Sequence, residues 1–456
     1  MPPLQSSGDR KRRGAYPTPH WLVELVVAEA VTVREAGAET VVVDPACGDG
    51  RFLAAAARRV RELGGRPVLV GVDIDAASLG DAARTLEGED VQLRRGDALG
   101  QEWPCRVDVV VGNPPYLSQL AAATTRGGAS RHGGGPYADA AVEFLALAVR
   151  MLAPGGRLGL VLPQSILASR DAAGVREEVD RRAGLRWSWW SPEAVFDAQV
   201  LVCAVVAEVG GPALCTWTDV VTAALDVPVL PPLATAGTLG ERARLTANFR
   251  DQYYGLVPAV VEDGTGPRFV TSGLIEPACS MWGERPVTFA RRRFQRPTVD
   301  LAALTPVMRR WADALLVPKV LVANQTRVIE AVVDADGSWL PGVPALTARP
   351  AAGVDPWAVG AVLTSPVASA WAWHRAAGTG LAARSVRLGP RWLAELPWPA
   401  GDIDDAVAAL RVGDVVRCGD AVVSAYRVGD AEALRTWWAD GLPGGRLVPG
   451  TSSHRT

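Results

Sequence analysis

The stretch Val109-Val110-Val111-Gly112-Asn113-Pro114-Pro115-Tyr116 runs an apolar strand into an amide, two prolines and a phenol. Pro114 and Pro115 stiffen the backbone and carry no N–H. The Asn113 side-chain oxygen and the Pro114 carbonyl are then acceptors without competing donors nearby. Such a pair suits an exocyclic amine bearing two hydrogens. Hydrogen bonds to both hydrogens pull the nitrogen lone pair out of conjugation with a planar ring and leave it able to attack an electrophilic carbon. Tyr116 offers a flat face for the ring. The plainer alternative is a rigid turn plugged by an aromatic side chain.

A second group of residues is built from carboxylates. In "DPACGDGRFLAAA" a strand ends at Asp44, Gly48 and Gly50 lie in the turn, and a helix starts near Arg51. The glycines let backbone approach a ligand, and the helix start offers free N–H groups. No Gly-Lys-Ser/Thr follows, so this is not a Walker loop. A phosphate-binding loop would avoid a carboxylate, whereas Asp44 suits a cationic or amino group. Asp73 ends the next strand, placed to accept ribose hydroxyls, and Asp97 ends a third, where it can accept from an adenine amino group. Each alone is also an ordinary strand-end cap. Together they outline a pocket for a nucleoside with a charged tail and no phosphate, which S-adenosylmethionine fits.

The elements that must carry these residues alternate. "ETVVVD", "PVLVGVDID", "VQLRRGDAL", "RVDVVVGNPPY" and "RLGLVLPQSIL" read as strands; "RFLAAAARRVREL", "AASLGDAARTL" and "DAAVEFLALAVRML" read as helices. This is the pattern of an α/β doubly wound, Rossmann-like parallel sheet, which binds ligands beyond the carboxyl ends of its strands. After about residue 210 the rhythm gives way to short strands, prolines and tryptophans. The 456 residues allow two or three domains at roughly 150 each. The expected division is a tail over 1–13, a catalytic domain over 14–235, a mixed α+β domain over 240–400, and a helical tail over 401–456. The Gly-rich stretch 124–136 reads as a lid or a solvated linker.

Composition narrows the classes. No apolar run reaches the roughly 18 residues of a membrane span, and the N-terminus lacks a secretory apolar core. Six scattered cysteines without a Cys-x-x-Cys pair, and four distant histidines, argue against a metal site or a disulfide framework and fit the cytoplasm. The net charge of −2 does not announce nucleic-acid binding. Its distribution is more telling: Arg285, Arg291, Arg292, Arg293, Arg296, Arg309 and Arg310 face only Glu284 and Asp300 in the same segment.

The segments "DPACGDGRFL", "GVDID", "GDAL" and "GNPPY" resemble the successive motifs of class I S-adenosylmethionine-dependent amino-methyltransferases, and Asn113 resembles the N6-adenine type. "GAYPTPHWLVELVV" is similar to the N-terminal cofactor motif of that family. This motif first and a recognition domain last is the order of the gamma class of restriction–modification enzymes. The resemblance implies that Thr18 and Pro19 touch cofactor, that Asp44, Ala46 and Gly48 hold its methionine part, that Asp73 and Ile74 take ribose and adenine, and that Asp97 takes the adenine amino group. It also implies that Phe196 stands edge-on to a flipped base, although a strand-edge core phenylalanine reads the same way. "LVPAVVEDGTGPRFVTSGLIEPA", "VPKVLVANQTRVIEAVVD" and "RSVRLGPRWLAELPWP" look like parts of a target recognition domain. The Gly-rich insertion after Tyr116 maps to no element of the family.

By this resemblance the substrate is the N6 amine of an adenine flipped out of double-stranded DNA, at a cost of about a few kcal/mol. Arg291, Arg292, Arg293 and Arg327 are the expected DNA contacts, against the alternative of a solvated charge run. Three other readings stay open: methylation of a protein glutamine, methylation of RNA, and a non-catalytic DNA-recognition subunit. No Pro-Asp…Asp/Glu-x-Lys nuclease pattern is present. The expectation is therefore a monomeric enzyme that modifies without cleaving, with any cognate restriction endonuclease encoded separately.

Overall fold

The computed structural model describes residues 17–443 apart from 104–105, 117–131, 136–137, 194, 197–199, 249 and 381. The chain divides into two compact units, Met1–Ala224 and Leu225–Thr456. The expected 1–13 tail and most of the Gly-rich 124–136 stretch lie outside the described residues.

The first unit is built on a seven-stranded sheet of order β3-β2-β1-β4-β5-β7-β6. Its strands are β1 (Glu39–Asp44), β2 (Arg66–Asp73), β3 (Val91–Arg95), β4 (Val107–Gly112), β5 (Leu152–Pro163), β6 (Ala183–Trp190) and β7 (Val202–Val209). β1 to β5 are parallel, as the alternating pattern predicts. β7 runs antiparallel to β5, and β6 antiparallel to β7, so the parallel sheet ends in an antiparallel edge. Valine-rich β1 and β4 are buried on both faces because helices cover both.

Helix α1 (His20–Ala30) buries Leu22, Val23, Val26, Val27 and Ala30. It lies so close to β5 that a side chain at Gly159 would meet the Ala30 Cβ at 2.5 Å. Helix α2 (Arg51–Glu62) turns Phe52, Leu53, Ala55, Ala56, Ala57 and Val60 inward. α3 (Ala76–Thr85) is capped by the Asp75 carboxylate, which accepts from the Ala77 N–H. α4 (Ala140–Met151) is capped in the same way by Asp139. Pro154-Gly155-Gly156 falls inside β5, beside a register shift against β4. The sheet order reverses between β1 and β4, and this is where the carboxyl ends of neighbouring strands open a crevice.

The second unit holds two four-stranded sheets and a group of helices. One sheet contains the hairpin of Lys319–Val322 with Ala331–Asp334. Lys319 and Asp334 form a fully buried ion pair there, and the Asp334 carboxylate also accepts from the Ser338 and Trp339 N–H groups. Two helices, Pro356–Thr364 and Pro366–Ala376, meet at Ser365, whose hydroxyl accepts from the Ala368 N–H, with a proline opening each. Helices Asp404–Arg411 and Val415–Ala425 pack onto this pair. Arg411 reaches Asp355 at 2.7 Å, and the Cys418 thiol lies 3.9 Å from the Ala361 carbonyl.

Candidate functional site

Asp44 and Asn113 face each other across the reversal point. Asp44 is the last residue of β1 and is buried; Asn113 follows directly on β4. What brings them together is Gly112. Its φ is +152°, and a side chain there would stand 2.6 Å from the Asp44 carboxylate oxygen. A residue with Cβ would push the strand end away from the carboxylate.

The Asp44 carboxylate is held by its own turn, accepting from the Ala46 N–H at 3.0 Å. Burial pushes its carboxyl up to about 8, and the Asp73 and Asp49 charges add to the shift against the Ala46 hydrogen bond. Asp73 accepts from the Gly48 N–H at 3.0 Å and from the Asp75 N–H at 2.8 Å, so both its oxygens are oriented. Gly50 begins α2 from a left-handed conformation, φ +80°, within 3.2 Å of Ala82 for any added Cβ. Cys47 is buried in the same turn, and burial and Asp44 raise its thiol far above the ordinary range, which leaves it a packing residue. Burial raises the Asp49 carboxyl, but hydrogen bonds and charge from Arg51 outweigh this and hold it below the usual value.

Asp97 caps a short helical turn, accepting from the Leu99 N–H at 3.1 Å, past the end of β3. Ile74 follows Asp73 and is 62% exposed, an apolar surface beside that carboxylate. Pro19 is the cap residue of α1, its carbonyl accepting from Leu22 and Val23. The turn is therefore rich in carboxylates and has one cation, Arg51, which pairs with Asp49. A cationic amino-acid tail relieves the Asp44–Asp73 repulsion, whereas a phosphate would worsen it. The residues present fit S-adenosylmethionine.

Around Asn113 the structure differs from the expectation of an unoccupied acceptor. The Tyr116 hydroxyl donates to the Asn113 Oδ1. Tyr116 is buried, and burial, with Cys203 and Asp139 nearby, raises its phenol well above the ordinary value, so it stays a donor. Its ring is tilted against Phe196, with centroids 6.3 Å apart, so the structure does bring Phe196 to the amide site. The Asn113 Nδ2 donates to the buried Thr18 Oγ1 at 2.9 Å. Pro114 and Pro115 hold the chain between these contacts.

Sequence reasoning missed Arg51. Its guanidinium donates to the Thr18 carbonyl as well as to Asp49, tying the cofactor turn to the segment before α1. Its place immediately after Gly50 was the available signal. Gly112 was equally visible in "GNPPY", but its role depends on β1 lying beside β4.

In the second unit, Val287–Phe289 and Arg292–Phe294 pair as an antiparallel hairpin. Its two turn residues, Ala290 and Arg291, both have positive φ, 48° and 65°, a conformation that costs a side-chain-bearing residue about 1 kcal/mol or more. Phe289 anchors the hairpin, packing edge-on against Phe269 at 4.8 Å and Tyr253 at 4.9 Å. Arg291, Arg292 and Arg293 are exposed. Arg268 and Arg296 both stack on Trp282, at 4.6 and 5.1 Å. Arg327 differs: it is half-buried, and its guanidinium donates to the Asp440 carbonyl at 2.9 Å.

Residues 5–182 match the family described as N-6 DNA Methylase. The sheet order and the carboxylate turn agree with this match: the first unit has the fold of a class I methyltransferase, with S-adenosylmethionine as cofactor. The release factor glutamine methyltransferase of Mycobacterium tuberculosis is 31% identical over 144 residues, which are 29% of this chain and 46% of that protein. The chain thus spans about half the length of the curated relatives it matches. Among solved structures, similarity extends to the type I restriction–modification methyltransferase subunit from Streptococcus thermophilus, at 20% identity, 43% of this chain, 45% of that chain and a TM-score of 0.37. The type IIG restriction endonuclease BpuSI is 12% identical, over 97% of this chain and 68% of that chain, with a TM-score of 0.43. No helix among the described residues is long and apolar enough to cross a membrane.

Proposed function

We propose that the chain transfers a methyl group from S-adenosylmethionine to N6 of an adenine flipped out of double-stranded DNA, as the modification activity of a restriction–modification or defence system in the cytoplasm. The observation that carries this reading is the Asn113 amide, set after β4 beside the Asp44 turn and enclosed by Tyr116 and Phe196. When bound, the cofactor supplies an electrophilic methyl on a cationic sulfur, so that the amine nitrogen forms a C–N bond as C–S breaks and then loses a proton to water. Asn113 Oδ1 and the Pro114 carbonyl accept the two amine hydrogens and turn the lone pair out of the ring plane. Tyr116 stacks on the base, and Phe196 borders it. Asp44 holds the cationic tail, with Asp73, Ile74 and Asp97 about the nucleoside and Ala46 and Gly48 along the backbone.

The second unit is the DNA-binding partner of this chemistry in our reading. Arg291, Arg292 and Arg293 on the hairpin supply contacts to phosphates and base edges; Arg327, held by Asp440, serves the fold first. Any restriction endonuclease partner is a separate chain, and the enzyme acts as a monomer.

The likeness to a glutamine methyltransferase supports a second reading, since a glutamine side chain also presents an NH2 group. The test is single-molecule sequencing of DNA from a methylation-free host expressing the protein, beside Asn113→Ala. N6-methyladenine at one short motif, absent from the variant, supports the DNA reading. No modified adenine, with folded protein that binds cofactor, overturns it in favour of glutamine or RNA.

A further inference from the structure

A side-chain amide has two ends of nearly equal shape and opposite hydrogen-bonding sense. For Asn113 to accept from an amine, Oδ1 must face the substrate, and a half-turn about the last side-chain bond would present two N–H donors instead. A donor facing a donor repels the amine and removes the polarisation on which the reaction depends. Something other than substrate must therefore choose the orientation beforehand.

The choice is made from a distant part of the chain. The Asn113 Nδ2 donates to the Thr18 hydroxyl at 2.9 Å, across 95 positions of sequence. Thr18 is 3% exposed and lies between Pro17 and Pro19, so its backbone has little freedom. Its carbonyl is clamped by Arg51, and Arg51 is gripped by Asp49 in the cofactor turn. On the other side of the amide, the Tyr116 hydroxyl donates to Oδ1. A partly buried chain of contacts thus runs from Asp49 through Arg51, Thr18 and Asn113 to Tyr116.

We propose that Thr18 is a positioning residue for the transfer step: its hydroxyl holds the Nδ2 end of Asn113 so that Oδ1 is presented to the incoming amine, while Tyr116 occupies that oxygen until the amine replaces it. This goes beyond cofactor contact by Thr18, and it rests on the reading of Asn113 as the amine acceptor. It does not depend on whether that amine belongs to DNA, RNA or glutamine.

The experiment compares Thr18→Val, which keeps the shape and loses the hydroxyl, with Thr18→Ser, which keeps the hydroxyl. Steady-state methyl transfer is measured on the substrate that the wild type methylates, and S-adenosylhomocysteine affinity is measured by calorimetry. The expected result is a kcat reduced about 10-fold or more in Thr18→Val, from the lost hydrogen bond and the misoriented amide. Cofactor affinity and the thermal unfolding midpoint change little, and Thr18→Ser restores kcat to within about 2-fold of the wild type. A valine variant that loses cofactor affinity with kcat intact overturns the proposal and makes Thr18 a cofactor contact only. Equal kcat loss in both variants overturns it as well, since the hydroxyl would then be irrelevant. A wild type that methylates RNA or glutamine but not DNA overturns the DNA reading alone, and the same comparison then runs on that substrate. A wild type that transfers methyl to no NH2-bearing substrate overturns both.

Discussion

Cofactor affinity should rise steeply with pH, and Asp44 is the reason. Its carboxyl is pushed from 3.8 up to about 8 by burial and by the facing Asp73 and Asp49. A carboxylate raised on folding stays protonated in the folded protein where the unfolded chain has already ionised. The unliganded fold therefore loses stability as pH rises from 3.8 to about 8 and levels off beyond. A cationic tail in the pocket favours the ionised form, so binding below that value must release a proton. At about pH 6 roughly 1% of Asp44 is ionised, and at about pH 7.5 roughly 25%, so the apparent Kd should fall about 25-fold over that interval. Calorimetry with S-adenosylhomocysteine, run in two buffers of different ionisation enthalpy, reads both the Kd and the released proton. Asp44→Asn should weaken binding and remove its pH dependence. It should also raise the unfolding free energy of the free protein near neutral pH, by at most about 4 kcal/mol. A Kd that stays flat over that interval with no proton released would refute the assignment of Asp44 to a cationic group.

Three further outcomes follow from the same geometry. Replacing Arg291, Arg292 and Arg293 with alanine should reduce the slope of log affinity for duplex DNA against log salt by about 1 for each arginine that meets a phosphate, read by fluorescence anisotropy; because all three are exposed, the melting temperature should not move. Lys319→Met leaves Asp334 buried without its cation, and urea unfolding should show a loss of about 3–5 kcal/mol in the second unit; an unchanged midpoint would show that Asp334 takes up a proton at little cost. Tyr116→Phe keeps the ring and removes the donor that occupies Asn113 Oδ1, so KM for the acceptor should fall by about 5-fold with kcat unchanged; a drop in kcat would give the hydroxyl a part in the reaction itself.

Much of the first unit was legible in the sequence because its signals are local. β1, β2 and β4 announce themselves by β-branched runs, and Asp44, Asp73 and Asn113 stand where those runs stop. A strand that ends in a carboxylate, glycine or proline reports its own boundary from neighbouring residues alone. The exposed arginines of the hairpin were visible as a charge cluster for the same reason.

The remainder needed the strand order. Only with β1 beside β4 does Gly112 meet Asp44, and only with α1 packed on the sheet does Thr18 reach Asn113. Arg327 looked like its neighbours in charge, but the fold turns it toward the Asp440 carbonyl, 113 positions away. The sequence by itself determined which residue types stand at the strand ends, and so the chemistry on offer: acceptors for a cation in one turn, an amide acceptor in the other. Tertiary structure alone decided how those groups are oriented, because a hydrogen bond acts over about 3 Å and depends on angle. Contacts of that range between distant segments follow from packing, which no local pattern of residues encodes.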